Sequence, residues 1–216
     1  MLVKMDAFFA ARLDGYDEHM RTEIEGAQEF YPYTASLLPG TGAVKILDLG
    51  CGTGLELEAY FRLNAEAEIT GIDLSEAMLG ELRRKFSGRR ITLVQGSYFD
   101  VSFGVGEFDA AVSAESLHHF PAEQKEEMYG RLRAALKEGG YFVLTDYFAE
   151  SEALEREYFA NLKKLKREQE LSDGGFYHYD TPLTVEHEMG ALRSAGFSHI
   201  GIKGSWGATY TLLARK

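Results

Sequence analysis

Apolar positions divide the chain into a helical opening and a longer stretch of alternating elements. Residues 1 to about 40 predict helices around Asp6 to Leu13 and Tyr16 to Tyr31, closed by the turn-forming cluster Leu38-Pro39-Gly40-Thr41-Gly42. From residue 44, β-rich runs at Val44 to Leu49, Glu68 to Ile72, Ile91 to Gln95, Phe108 to Ser113 and Tyr141 to Tyr147 alternate with helix-like stretches at Gly54 to Asn64, Ser75 to Phe86 and Ala122 to Lys137. That alternation predicts an α/β domain with a parallel sheet and crossover helices. Lys137-Glu138-Gly139-Gly140 reads as a helix stop. Beyond it lie a helix near Ser151 to Leu171, an aromatic loop Phe176-Tyr177-His178-Tyr179, a helix starting near Thr184, and terminal strands His199 to Lys203 and Thr209 to Ala214.

Composition narrows the class. At 216 residues, 45% apolar and 26% charged, the chain suits one globular domain with a sizeable core. The sequence has no run of 18 apolar residues and no signal-peptide centre near Met1, so a cytoplasmic protein that does not enter membranes is expected. The single cysteine, Cys51, excludes an internal disulfide and a zinc site of the CxxC kind. A net charge of −11 disfavours nucleic-acid partners. The basic run Lys163-Lys164-Leu165-Lys166-Arg167 has apolar residues at helical spacing and acidic neighbours, which reads as the solvated face of an amphipathic helix.

The candidate chemistry begins where a buried strand ending in Asp48-Leu49 meets a helix starting at Leu55. Gly50-Cys51-Gly52-Thr53-Gly54 occupies the strand-to-helix turn, the functional edge of an open parallel sheet. Glycines there admit a ligand close to bare backbone, and the helix start offers unpaired amide donors. A second strand ends in Asp73, 23 residues after Gly50, whose carboxylate can accept both hydroxyls of a ribose. A dinucleotide fingerprint needs its third glycine where this chain has Leu55, which counts against NAD. Cys51 reads as a small packing residue rather than a reactive thiol.

The run Asp48 to Gly54, extended by Ile72-Asp73-Leu74-Ser75-Glu76-Ala77-Met78-Leu79, resembles the first two motifs of class I S-adenosylmethionine (SAM)-dependent methyltransferases of the small-molecule type, over about residues 44 to 148. The resemblance implies a Rossmann-like, doubly wound sheet of seven strands, mostly parallel with the last antiparallel, and helices on both faces. Residues 1–40 would form a helical lid, 41–148 the SAM-binding core, and 149–216 a substrate-side insert with the terminal strands. It assigns Asp48 to the methionine amino end; Gly50, Cys51, Gly52 and Gly54 to the methionine and ribose; Asp73 to the ribose hydroxyls; and Leu74 and Met78 to the adenine. Val94 to Asp100 resembles the third motif, with Gly96 in place but Ser97 where the family has an acid, leaving the Tyr98 backbone as a substitute adenine contact.

Phe108 to Phe120 resembles the fourth motif, which passes the transferable methyl and places Ala114, Glu115, His118 and His119 at the chemical end. Some small-molecule N-methyltransferases carry Glu-x-x-Glu-His here; this chain keeps the first Glu and the last His and has His118 for the second acid. A histidine suits proton removal from an acceptor. The expectation is that one histidine, with a slight preference for His118, faces the pocket and the other packs or caps the helix that Pro121 announces. Tyr16, Tyr31, Tyr33, Tyr177, His178, Tyr179, His187 and Trp206 are wall candidates or core packing. No metal site is expected, because His178 and His187 are not two ligands fixed on one helical face. The implied function is methyl transfer to a small-molecule O, N or C acceptor by a monomer or homodimer. An RNA-modifying enzyme, including a carboxy-SAM-forming relative, and a non-catalytic SAM-binding sensor are the alternatives.

Overall fold

The structure is a computed structural model that describes residues 1–172 and 174–216. In strand β1 (Lys45–Leu49) every residue after Lys45 is buried, as a parallel sheet covered on both faces requires. β2 (Glu68–Asp73) and β3 (Arg90–Gln95) extend the sheet on one side of β1, and β4 (Phe108–Ala114) and β5 (Leu136–Tyr147) on the other. β6 (Ser198–Trp206) and β7 (Thr209–Arg215) complete seven strands in the order β3-β2-β1-β4-β5-β7-β6. β7 runs antiparallel to both of its neighbours, β5 and β6, and the other strand pairs among the described residues are parallel, as expected. The winding direction reverses between β1 and β4, and loops leaving such a switch point diverge to open a crevice at the carboxyl edge.

Alternate residues feed the two faces. Leu47, Phe142 and Leu144 pack with Met128 and Leu132 of α6 (Ala122–Ala135) and Leu192 of α8 (Val185–Ser194). Ile46, Val112 and Val143 face the other way, onto Leu57 of α4 (Leu55–Leu63) and Leu82 of α5 (Glu76–Lys85). This is the period-2 alternation of a strand. The long helix α7 (Glu152–Glu168) keeps Lys163, Lys164 and Arg167 exposed. None of the described helices is long and apolar enough to cross a membrane.

Two of the boundaries that differ from expectation have a tertiary cause. The predicted helix Tyr16 to Tyr31 is two helices, α2 (Tyr16–Thr22) and α3 (Ala27–Ser36). Gly26 separates them at φ +76°, and a Cβ there would lie 2.4 Å from the Cβ of Trp206, so only glycine lets the chain turn past the indole. α3 continues through Pro32 because Phe30, Thr34 and Ala35 are buried, which outweighs the proline's missing donor. Helix α6 stops at Ala135, two residues early, because buried Leu136 is already extended and pairs with Phe108. The glycine pair therefore lies inside the start of β5.

The opening residues are joined to the late aromatic loop. Just before and at the start of α1 (Met5–Ala11), Met5 N–H donates to Phe176 O (3.1 Å) and His178 N–H to Val3 O (3.0 Å). This pairing places α1 and the loop together above the carboxyl edge of the sheet.

Candidate active site

The glycine turn is fastened to the end of β2. Gly50 and Cys51 amides donate to Ile72 O at 2.8 and 3.2 Å. Asp73 Oδ2 accepts from Gly52 N–H (2.9 Å) and Oδ1 from Ser75 N–H (2.8 Å), so one carboxylate joins the turn to the start of α5. Burial raises the Asp73 carboxyl in spite of these amides. Gly50 has φ +72°, and a Cβ on it would fall 1.9 Å from Ser116 Oγ, which places the turn after β1 in contact with the loop after β4. Cys51 is buried with its sulfur over Gly71, where a Cβ would lie 2.7 Å away, and burial pushes its thiol up, the behaviour of a packing residue.

Asp48 is fully buried, and no amide, hydroxyl or basic side chain donates to either of its oxygens; it lies beside the Glu56 carboxyl, with which it hydrogen-bonds only when one of the two holds a proton. Glu56, the second residue of α4, is also buried, and its Oε1 has no donor from an amide, hydroxyl or base. Burial raises both carboxyls, and the charge of Glu56 raises Asp48 further. Buried acceptors without donors are uncommon and call for a reason. Tyr16 of α2 lies among the same acids: its hydroxyl is raised by burial, then by Asp73, Glu115 and Glu56. Asp17 fixes α2 in that place, accepting from Thr53 Oγ1 (2.5 Å) and from Lys85 Nζ (2.6 Å), while Arg21 pairs with Glu58 at 2.6 Å.

Leu74 is half-buried and Met78 is fully buried in α5. Gly96, Ser97 and Tyr98 follow β3; Ser97 Oγ accepts from Phe99 N–H, and the buried Tyr98 hydroxyl donates to Ser116 O (3.1 Å). The Tyr98 carbonyl already accepts from Arg131 (2.9 Å), leaving its amide for any further contact.

Beyond Ala114, the last residue of β4, the chain enters the predicted chemical end. Glu115 has φ +51°, and its Oε1 accepts from Thr209 Oγ1 (3.3 Å). Burial, followed by the charge of Asp146, pushes its carboxyl up to about 8. A single 3₁₀ turn, Leu117–His119, then presents both histidines. His118 Nδ1 lies 2.6 Å from Asp146 Oδ1, and Asp146 is itself held by Leu117 N–H on Oδ2 (2.8 Å). His118 Nε2 is 3.6 Å and His119 Nδ1 3.2 Å from the same atom, Asp180 Oδ1. For His118, burial is outweighed by Asp146 and Asp180, which raise its pKa; His119 is lowered by burial and by its neighbour's charge. The two imidazoles hold Asp180 below the usual carboxylate range against its burial.

Both histidines line a cavity of about 780 Å³ that also exposes Phe9, Tyr16, Glu115, Tyr147 and Trp206. Neither caps α6, whose N-cap position is Pro121. His178 stacks on Phe8 at 3.5 Å in the same cavity wall, whereas His187 is elsewhere, paired with Glu155 at 2.7 Å. Tyr33 bonds Lys203 O and Tyr31 packs against Phe30 in the core. A groove of about 930 Å³ on the outer side of α2 and α4, with Arg21, Glu58 and Arg84 in its wall, is lined by Tyr31 but by none of the predicted catalytic or cofactor-binding residues.

Residues 46–140 match the family described as a methyltransferase domain. The sterol 24-C-methyltransferase ERG6B of Gibberella zeae is 25% identical over 191 residues, covering 84% of this chain and 46% of that one. The fatty-acid O-methyltransferase of Mycolicibacterium smegmatis is 29% identical over 140 residues, covering 61% and 50%. The chain therefore spans about half the length of these curated relatives. Human N-acetylserotonin methyltransferase, solved in complex with SAM, has the same fold with a TM-score of 0.68 at 18% identity, over 98% of this chain and 56% of that one. Residues 46–140 of the chain are thus similar to a methyltransferase domain, and the fold is the one seen in the solved methyltransferase structures.

The residues that sequence reasoning missed at this site are Asp146 and the role of Asp180. Asp146 has a readable signal: β4–β5 register sets Ala114 beside Thr145, so the next residues, Glu115 just past the end of β4 and Asp146 near the end of β5, lie at the same edge. Asp180 has none, since it arrives from an irregular loop after α7.

Proposed function

We propose that this protein transfers a methyl group from SAM to a small-molecule acceptor, leaving S-adenosylhomocysteine. The observation that carries the reading is the buried, donorless Asp48 carboxylate behind the glycine turn. An ammonium group such as the one on the methionyl part of SAM supplies the donors and the positive charge that Asp48 lacks. Asp73, with spare lone pairs at the end of β2, suits ribose hydroxyls, and Gly50 to Gly54 leave backbone open beside them. SAM, when bound, supplies a methyl already activated by its sulfonium, so alignment is the main demand on the protein.

The chain's own residues meet that demand in two ways. Tyr16 and α2 close over the crevice and exclude water, fixed by Asp17. On the acceptor side, Asp146 engages His118 Nδ1 and thereby directs Nε2 away from itself, so His118, His119 and Glu115 stand together where an acceptor's proton can be held or moved. The cavity's volume and aromatic wall fit a small, largely apolar acceptor, and its acids oppose a polyphosphate chain. The relatives are named for sterol, fatty-acid and N-acetylserotonin acceptors, which are of that kind.

Thermal melting of the protein with S-adenosylhomocysteine, SAM or NADH tests the reading. Stabilisation by the two sulfur ligands and none by NADH is expected, and the reverse pattern overturns it.

A further inference from the structure

Two imidazole nitrogens converge on one carboxylate oxygen in the wall of the acceptor cavity. His118 Nε2 and His119 Nδ1 lie 3.6 and 3.2 Å from Asp180 Oδ1, and the two rings are 4.0 Å apart. A tetrahedral ion with bonds of about 2.0–2.1 Å holds its ligand atoms about 3.3–3.4 Å apart. The two measured spacings bracket that value. We infer that His118, His119 and Asp180 form a binding site for a divalent transition-metal ion of the zinc, cobalt or iron(II) class.

Three further observations support the site. The chemistry of two imidazoles and one carboxylate suits borderline ions and not calcium or magnesium, which prefer oxygen. The ring nitrogen of His118 that faces away from Asp180 is engaged by buried Asp146, which is fixed in turn by Leu117 N–H; a carboxylate behind a ligating histidine orients the ring and strengthens it as a donor. Asp180 is 49% exposed, which provides a path of entry, while both histidine side chains are nearly buried. Glu115, His118 and Asp146 also cluster, but Asp146 is 2% exposed and already accepts from Leu117 N–H, so it serves the site from behind.

Three protein ligands leave at least one coordination position, and the cavity lies on that side. The ligand class for the open position is an oxygen donor, such as a hydroxyl or carboxylate; this last step rests on the methyl-transfer reading, because it identifies the cavity occupant with the acceptor. A bound ion would take the ring lone pairs, so His118 and His119 would then hold the ion rather than a proton, and the ion would supply the Lewis acidity that favours a deprotonated acceptor oxygen.

The test uses tag-free protein without SAM, titrated with cobalt(II) and followed by visible absorption, with zinc(II) calorimetry in parallel. One equivalent is expected to bind, with the strong absorption of a low-coordinate cobalt site. Asp180→Asn and His119→Gln should each weaken binding more than 100-fold, and Asp146→Asn by about 10–100-fold as an outer support. His187→Gln, outside the cluster, should leave it unchanged. Folding of each variant is checked by its circular dichroism and melting temperature. No saturable binding at millimolar ion, or binding that survives both Asp180→Asn and His119→Gln in folded protein, overturns the site. Melting the same samples with S-adenosylhomocysteine reports separately on the methyl-donor reading.

Discussion

Replacing Asp48 by Asn separates stability from ligand binding. In the wild-type protein a carboxyl group is fully buried with no donor on either oxygen, next to a second buried acid, Glu56. An unsatisfied buried polar group costs about 1–3 kcal/mol, more when it is charged. Asn keeps the shape and removes the charge, though not the unmet hydrogen bonds, so a gain of about 1–2 kcal/mol is expected. For a domain of this length that is an apparent melting temperature higher by about 2–8 °C. The pH dependence has a definite sign. Both carboxyls are raised in the folded state, so above the ordinary carboxylate range the unfolded chain ionises first and folding stability falls with rising pH. Asp48→Asn removes one of the two groups and should flatten that fall.

Ligand binding should move the other way. At about 100 times its dissociation constant a ligand stabilises the folded state by about 2.7 kcal/mol, and without the Asp48 charge the methionyl ammonium of S-adenosylhomocysteine loses its partner. The assay is differential scanning fluorimetry from pH 5 to 8, with and without S-adenosylhomocysteine. The reasoning predicts a crossed result, with the free variant more stable than wild type and its ligand-induced shift largely lost. A variant that melts lower than wild type yet keeps the full shift would refute it, since Asp48 would then be a structural group with a partner of its own.

Other perturbations follow from single contacts. Lys125 and Glu188 are both about 1% exposed and pair at 2.5 Å, with the Tyr129 hydroxyl also donating to Glu188. Lys125→Met should therefore lower unfolding free energy in urea by about 3–5 kcal/mol, and Lys125→Met with Glu188→Leu should recover most of it; a double-variant loss equal to the sum of the two single-variant losses would show that the pair is uncoupled. Gly50→Ala places a methyl on Ser116 at a positive φ, so it should abolish S-adenosylhomocysteine binding. Adding Ser116→Gly should restore only part, because the backbone strain remains. Asp17→Ala removes the acceptor for Thr53 and Lys85, so amide exchange across α2 should speed up and S-adenosylhomocysteine affinity should fall; unchanged exchange would rule out the Asp17 latch.

What was legible in the sequence follows from how locally it is encoded. The strand, glycine turn and helix around Gly50 are consecutive residues, and Asp73 ends the next strand, so pattern and spacing alone locate that half of the site. The helix break at Gly26 was not legible because its cause is Trp206, which is distant in sequence but would meet a Cβ at that glycine. The early stop of α6 likewise depends on Leu136 pairing with Phe108, a tertiary contact.

The acceptor half was hidden for a stronger reason. Spacing rules for metal or acid–base clusters assume that two of the groups share a helix or strand, as in residues one turn apart. His118 and His119 are adjacent, a spacing that on a regular element sends side chains in different directions, and so they read as one pocket residue and one packing residue. They act on one point because a third group, Asp180, arrives from an irregular loop and a fourth, Asp146, from the neighbouring strand. Only Asp146 could have been placed beforehand, by extending the β4–β5 register one residue past Ala114 and Thr145. In a doubly wound sheet, charged residues at the carboxyl ends of adjacent strands are therefore better treated as neighbours from the outset than as separate solvated ends.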